Sequence, residues 1–199
     1  QIAPHIARLL TPEAAATAPA WLQSWIQSND LLGSLILPVG QAGKLASLQF
    51  IHPNGEKKQL PHGIKQDGRA ILGRTAEAET ILIAEGFATA ASIQEATGCP
   101  VVIAFDAGNL PNVAANIHRE HPKARLILAA DNDIRAPDEK CQTNTGIEAA
   151  RAAARLTGGF VAIPRLPNGG KCDFNDIAVA LGHAEVARQI SACAGEIVE

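Results

Sequence analysis

Two unbroken apolar runs stand out along the chain, residues 81–84 and 126–130, and both end abruptly in carboxylates. Glu85 closes the first; Asp131 and Asp133 close the second. Each run is too short for a helix and fits a strand covered on both faces of a parallel sheet. Similar runs predict strands over 80–84, 101–105, 125–130 and 159–163. Helical patterns fall between them, over 87–97, 111–120 and 145–156. Pro111 is suited to a first helical turn. Thr145 followed by Glu148 reads as a capping box. A last helix follows the Asp-rich turn at residues 173–176. Regular strand–helix alternation predicts a parallel four-stranded α/β sheet flanked by helices, with right-handed crossovers.

The chain ahead of this core is patterned differently. Residues 1–30 read as helical, with Ile6, Leu9 and Leu10 on one face and breaks at Pro12 and Pro19. Trp21, Leu22, Trp25 and Ile26 form an apolar stripe, which is either packing surface or a stacking platform for bases. Residues 35–39 and 45–52 read as strands, with Gly40 and Gly43 as turn positions. Pro53, Asn54 and Gly55 start a second hairpin. The expected organisation is an N-terminal helical segment (1–33), a small antiparallel β subdomain (34–74), an α/β core (75–182) and a helical tail (183–199).

Composition sharpens this picture in three places. The 199 residues include no Met and open on Gln1, as expected of a piece cut from a longer protein. The four cysteines are scattered without a C-x-x-C pair, which argues against a zinc site or a disulfide framework and suits a reducing cytoplasm. Cys99, beside an apolar run, reads as a buried small hydrophobe. No apolar stretch is long enough to span a membrane. The net charge of −3 is divided unevenly: residues 41–74 hold six bases against two acids, whereas residues 75–199 hold ten bases against sixteen acids. A basic segment beside an acidic one suits a polyanion grip next to a metal site; a solvated hairpin surface is the plainer reading.

Ligands of open α/β sheets gather beyond the carboxyl ends of the strands. If the first and third strands are neighbours, Glu85, Asp131 and Asp133 converge there. Converging carboxylates repel one another unless a divalent cation sits between them. Asp131 and Asp133, two residues apart, point the same way if the strand pleat continues. Glu85 is then either a ligand or a general base, or else it caps the next helix. Asp106 ends the second strand, or closes a turn with Asn109.

A Glu-Gly closing one strand, an Asp-x-Asp closing a later one and a following Asp-rich turn resemble the Toprim domain. That domain is shared by bacterial primases, type IA and type II topoisomerases, and some nucleases and recombination proteins. The runs ILIAEGFATAASIQEATGCPVVIAFDAGNL, LILAADND, NTGIEAARAAARLTGG and KCDFNDIA look most like the primases of conjugative plasmids and phage primase-helicases. The upstream LASLQFIHPNGEKKQL resembles the small basic subdomain preceding Toprim in those proteins.

The resemblance covers residues 35–182 and implies a Toprim-like, Rossmann-like fold. It implies a cytoplasmic DNA primase fragment that synthesises short RNA primers during plasmid or phage replication or conjugative transfer. The implied partners are a single-stranded DNA template, nucleoside triphosphates and a replicative or fused helicase, with no membrane. Two Mg²⁺ or Mn²⁺ ions are implied, and no zinc in this fragment. Glu85, Asp131 and Asp133 become the acidic triad, with Asp173 and Asp176 as further acids near the metals. Lys44, Lys57, Lys58 and Lys65 are expected to hold template phosphates. Lys171 either neutralises phosphate charge or is solvated.

Two departures stand out: the loop 134–144 is longer and more polar than in replicative primases, and the zinc ribbon expected ahead of many such primases is not among these 199 residues, as in a piece from which it has been cut away. A topoisomerase needs a nucleophilic tyrosine, and the chain has no Tyr. A Toprim nuclease keeps the same acids, although the basic hairpins speak mildly against it. A receiver-like phosphoacceptor would want its paired acids after the first strand rather than the third. A non-catalytic module binding single-stranded DNA or a helicase is the alternative of a different class.

Overall fold

The computed structural model describes residues 7–133 and 144–193. The chain divides into two compact units, the first ending at Ala70 and the second beginning at Ile71.

The first unit opens with a two-residue strand, β1 (Arg8–Leu9), and two short helices, α1 (Pro12–Ala16) and α2 (Ala20–Ser28). Strands β2 (Leu35–Gln41), β3 (Lys44–Ile51) and β4 (Lys57–Gln59) follow, giving an antiparallel sheet in the order β1-β2-β3-β4. The helix expected near Leu9 is replaced by a strand, because Arg8 and Leu9 find edge partners in Ile36 and Leu35. Pro at the start of α1, with Thr11 capping Ala14, sets the helix boundary just beyond. Gly40 lies inside β2, at a register shift after Val39, and exchanges backbone hydrogen bonds with Arg69 at 2.8 and 2.9 Å. The β2–β3 turn falls instead on Ala42 and Gly43, both at positive φ. Trp25 meets Phe50 edge to face at 5.3 Å between ring centres. Leu10, Ala15, Ile26 and Leu31 complete this small core. Trp21 is exposed.

The second sheet has five strands in the order β5-β7-β6-β8-β9. They are β5 (Ala70–Leu72), β6 (Thr80–Ala84), β7 (Val101–Ile103), β8 (Arg125–Ala129) and β9 (Phe160–Ala162). The four strands expected from the apolar runs pair in parallel, and β5 adds a short edge beside β7. Their order places the third beside the first, as in flavodoxin-like sheets.

Helices α3 (Phe87–Thr97), α4 (Leu110–Glu120), α5 (Thr145–Thr157), α6 (Phe174–Leu181) and α7 (His183–Ala192) cover the sheet. Alternate strand residues face opposite layers. Ile81, Ile83, Leu126 and Leu128 pack with Val113, Ile117 and Ala150 of α4 and α5. The intervening Leu82, Ala84, Ile127 and Ala129 are equally buried, and α3, α6 and α7 pack together. Cover on both faces is the reason these strands read as unbroken apolar runs. Gly98 and Gly158 end α3 and α5 in the left-handed conformation that a Cβ disfavours.

Asn144, rather than Thr145, caps α5 by accepting from Ile147 N–H. Cys172 and Cys193 are buried thiols, whereas Cys99 is only partly buried. Among the described residues no helix is long and apolar enough to cross a membrane. Most of the polar loop 134–144 lies outside the described residues, as do Ile6, Cys141 and the end of the tail.

Candidate functional site

The carboxyl ends of β6 and β8 lie side by side, with Ala84 opposite Ala129. Glu85 is one residue beyond that pair and Asp131 two residues beyond it. The strand then continues for one more pairing. Asn132 and Cys172 exchange backbone hydrogen bonds at 2.9 and 3.0 Å as an antiparallel bridge. Asn132 is buried, donating to the Pro164 carbonyl at 3.2 Å and accepting from Asn144 at 2.9 Å. With Asn132 turned inward, alternation turns Asp131 and Asp133 to the other side of the backbone. The pairing of 132 with 172 also sets residue 133 against 171 and residue 131 against 173.

Side-chain contacts follow that register. Lys171 Nζ lies 2.6 Å from Asp133 Oδ1, with 70% of the lysine side chain exposed against 33% of the aspartate. Asp173 caps α6 by accepting from Asp176 N–H at 2.8 Å, and Asp176 accepts from Asp173 N–H at 3.0 Å. The other Asp173 oxygen accepts from the Thr89 hydroxyl at 3.1 Å. Thr89 belongs to the first turn of α3, the helix that starts after Glu85 and Gly86. Asp173 therefore ties the start of α6 to the start of α3. Burial pushes the Cys172 thiol up, a backbone hydrogen bond at Leu166 pulls it partly back, and the charges of Asp176, Asp173 and Asp131 push it further up.

Asp131 is held from behind by α5. A Cβ built on Gly146 would lie 2.3 Å from the Asp131 carbonyl oxygen, so only glycine lets this helix start so close. Asp131 Oδ1 is itself buried. Asn144 joins the two parts: its side-chain oxygen accepts from Asp133 N–H at 3.2 Å and from Ile147 N–H at 3.2 Å. Beside β6, the chain leaves β7 through Phe105, a buried non-glycine residue at φ 70°. Asn109 holds that strand end by donating to the Ala104 carbonyl at 2.8 Å. Asp106 accepts from Asn109 N–H at 2.8 Å, which makes it the cap of a turn.

Asn132, Asn144, Gly146 and Thr89 escaped the sequence reading. The one available signal was Asn144 directly before a helical run, since Asn is a strong N-cap.

The lysines ahead of the core are spread out. Lys44 starts β3 at one hairpin, while Lys57 pairs with Ile51 at its other end. Seven residues of strand separate those ends by about 24 Å. Lys58 pairs with Glu56 at 3.2 Å, and Lys65 is exposed in the loop beyond. Among the described residues, no three His, Cys, Asp or Glu side chains are grouped as a metal cage. Glu85, Asp131 and Asp133 are thus not gathered into one such group; Asp133 is turned to Lys171, and Asp173 and Asp176 are turned to each other's backbone.

Residues 80–184 match the Toprim domain, and the chain belongs to that family. Over 125 residues it is 37% identical to the DNA primase TraC of Escherichia coli, a match covering 61% of this chain and 9% of that protein. The matched region is thus a small part of a much longer relative. Among solved structures, the Aquifex aeolicus primase (zinc-binding and RNA polymerase domains) superposes with a TM-score of 0.56 at 16% identity, covering 88% of this chain and 49% of that one. A DnaG primase catalytic domain bound to single-stranded DNA superposes with a TM-score of 0.54 at 11% identity, covering 90% of this chain and 61% of that one. At such identities the structural matches speak for the fold, and they agree with the Toprim reading of the residues.

Proposed function

We propose that this chain is a catalytic region of a DNA primase, joining ribonucleotides into short primers on single-stranded DNA. The observation that carries the reading is the alignment of β6 with β8, which brings Glu85 to the edge where Asp131 and Asp133 emerge. Kinship with a DNA primase supports it.

The donors at this edge are carboxylate oxygens, the hard ligands that Mg²⁺ and Mn²⁺ prefer, and Mg²⁺ needs only one or two of them. Asp131 and Asp133 would hold the cation, with Glu85 either sharing it or acting as the base. A divalent cation bound there would lower the pKa of the attacking 3′-hydroxyl and offset charge on the departing pyrophosphate. Glu85 would accept the hydroxyl proton at a carboxylate oxygen. Asn144 and Gly146 would keep Asp133 and Asp131 in place through the contacts described above. Asp173 and Asp176 would add negative potential from the capping turn. Lys44, Lys57, Lys58 and Lys65 would bind template phosphates, giving affinity without sequence reading. The expected setting is cytoplasmic replication of a plasmid or phage, beside a helicase.

The test is primer synthesis on single-stranded template with Mg²⁺ or Mn²⁺. Asp131→Asn, which preserves shape, should cut the rate by about a hundredfold to a thousandfold, the scale of losing one group that stabilises transition-state charge. The lack of a preformed metal cage among the described residues favours a second reading, a module that binds single-stranded DNA without chemistry. DNA binding with no labelled product, in this chain and in the longer protein, would select that reading.

A further inference from the structure

The ion pair between Lys171 and Asp133 has an unusual setting. An exposed lysine on a loose loop finds many carboxylates, and such a pair is worth little. Here the backbone makes the choice. The Asn132–Cys172 bridge fixes residue 171 opposite residue 133, and both bridging residues are buried. Immediately upstream, Gly169 and Gly170 sit at φ 71° and 96° with open space around them. The root of Lys171 is therefore pinned, while its side chain, 70% exposed, reaches Asp133 along four flexible methylenes. Its charge meets the carboxylate on which the proposed metal site depends.

We propose that Lys171 is a displaceable counter-ion: its ammonium neutralises Asp133 in the metal-free protein, and a divalent cation entering at Asp131 and Asp133 releases it toward the phosphates of a nucleoside triphosphate. This rests on the metal-site reading above. The ion pair offsets part of the like-charge repulsion between two carboxylates that follow one strand. It also makes Lys171 a competitor of the metal before nucleotide arrives and a partner of it afterwards. Lysine suits both duties as a compact point charge able to bind phosphate.

The experiment measures Mn²⁺ binding to the whole chain by electron paramagnetic resonance, without nucleotide. Lys171→Met should bind Mn²⁺ roughly two- to fivefold tighter than the wild type, the scale of removing one exposed ion pair. Lys171→Arg, which keeps the charge, should bind as the wild type does. In an Asp133→Asn background, adding Lys171→Met should tighten Mn²⁺ far less than it does in the wild type. With Mn²⁺ present, Lys171→Met should weaken ATP binding. A lysine acting only through its general positive field would, when removed, tighten Mn²⁺ just as much in the Asp133→Asn background, which would overturn the pairing. Equal or weaker Mn²⁺ binding by Lys171→Met would overturn the proposal and leave the metal site standing. Unchanged ATP affinity would overturn the release to phosphate. Failure of both wild type and Lys171→Met to bind Mn²⁺ would overturn the metal site itself.

Discussion

The two units of this chain use opposite ways of displaying charge. In the antiparallel unit the lysines are distributed along a strand and its hairpin turns, with Lys44 and Lys57 at opposite ends of β3. In the parallel unit the acids that close the strands fall at one edge, because every strand of β6, β7, β8 and β9 runs the same way and all their carboxyl ends open there. Direction accounts for the difference. Antiparallel neighbours alternate their ends, so residues that follow strands scatter to both sides. Parallel neighbours place residues distant in sequence side by side. The first arrangement suits a diffuse grip on a polyanion, and the second suits a point site.

The largest test of this division is Phe50→Ala. Removing a fully buried ring that Trp25 contacts should destabilise the first unit by about 3–5 kcal/mol. Both tryptophans lie in that unit, so fluorescence should report its earlier unfolding while the ellipticity of the α/β helices keeps its midpoint. A joint shift would mean that the units unfold as one body. Gly146→Ala should act in the other unit, costing about 1–3 kcal/mol because the new methyl meets the Asp131 backbone. Thermal unfolding measures the loss, and Mn²⁺ affinity should fall with it as Asp131 is pushed aside.

A smaller effect is expected from Lys57→Ala. Binding to single-stranded DNA should weaken similarly for all sequences, and its salt slope should drop by about 0.7 for one lost phosphate contact. An unchanged slope would move the DNA contact away from the antiparallel sheet. The smallest effect concerns Glu185, whose carboxyl is held down from its ordinary 4.5 to about 2 by hydrogen bonds from Arg188 and Gln189. A lowered folded-state pKa contributes stability that is complete above pH 4.5 and is lost as pH falls through about 2. Glu185→Gln should flatten the acid unfolding curve in that window, read by ellipticity, and leave the Trp fluorescence of the first unit unchanged.

Much of the parallel unit was legible in the chain. Helix α3 begins and ends where its pattern predicts, and all four apolar runs became strands. Burial on both faces leaves an unmistakable mark, since no polar residue can interrupt it. The first unit was less legible. Arg8 and Leu9 belong to a strand only because β2 offers them an edge. Gly40 reads like a turn, yet pairs with Arg69, twenty-nine positions away.

By itself the sequence determined the four parallel strands, the helices between them and the acids that close two of the runs, because local pattern and burial demand write those features directly into residue order. Only the tertiary structure decided the neighbours: β8 beside β6, residue 172 against 132, Gly146 against Asp131, Lys171 on Asp133 and Asp173 on Thr89. Each of these contacts joins residues separated in the chain by anything from fifteen positions to eighty-four. A pattern read along the chain carries no information about which distant segment will supply the partner.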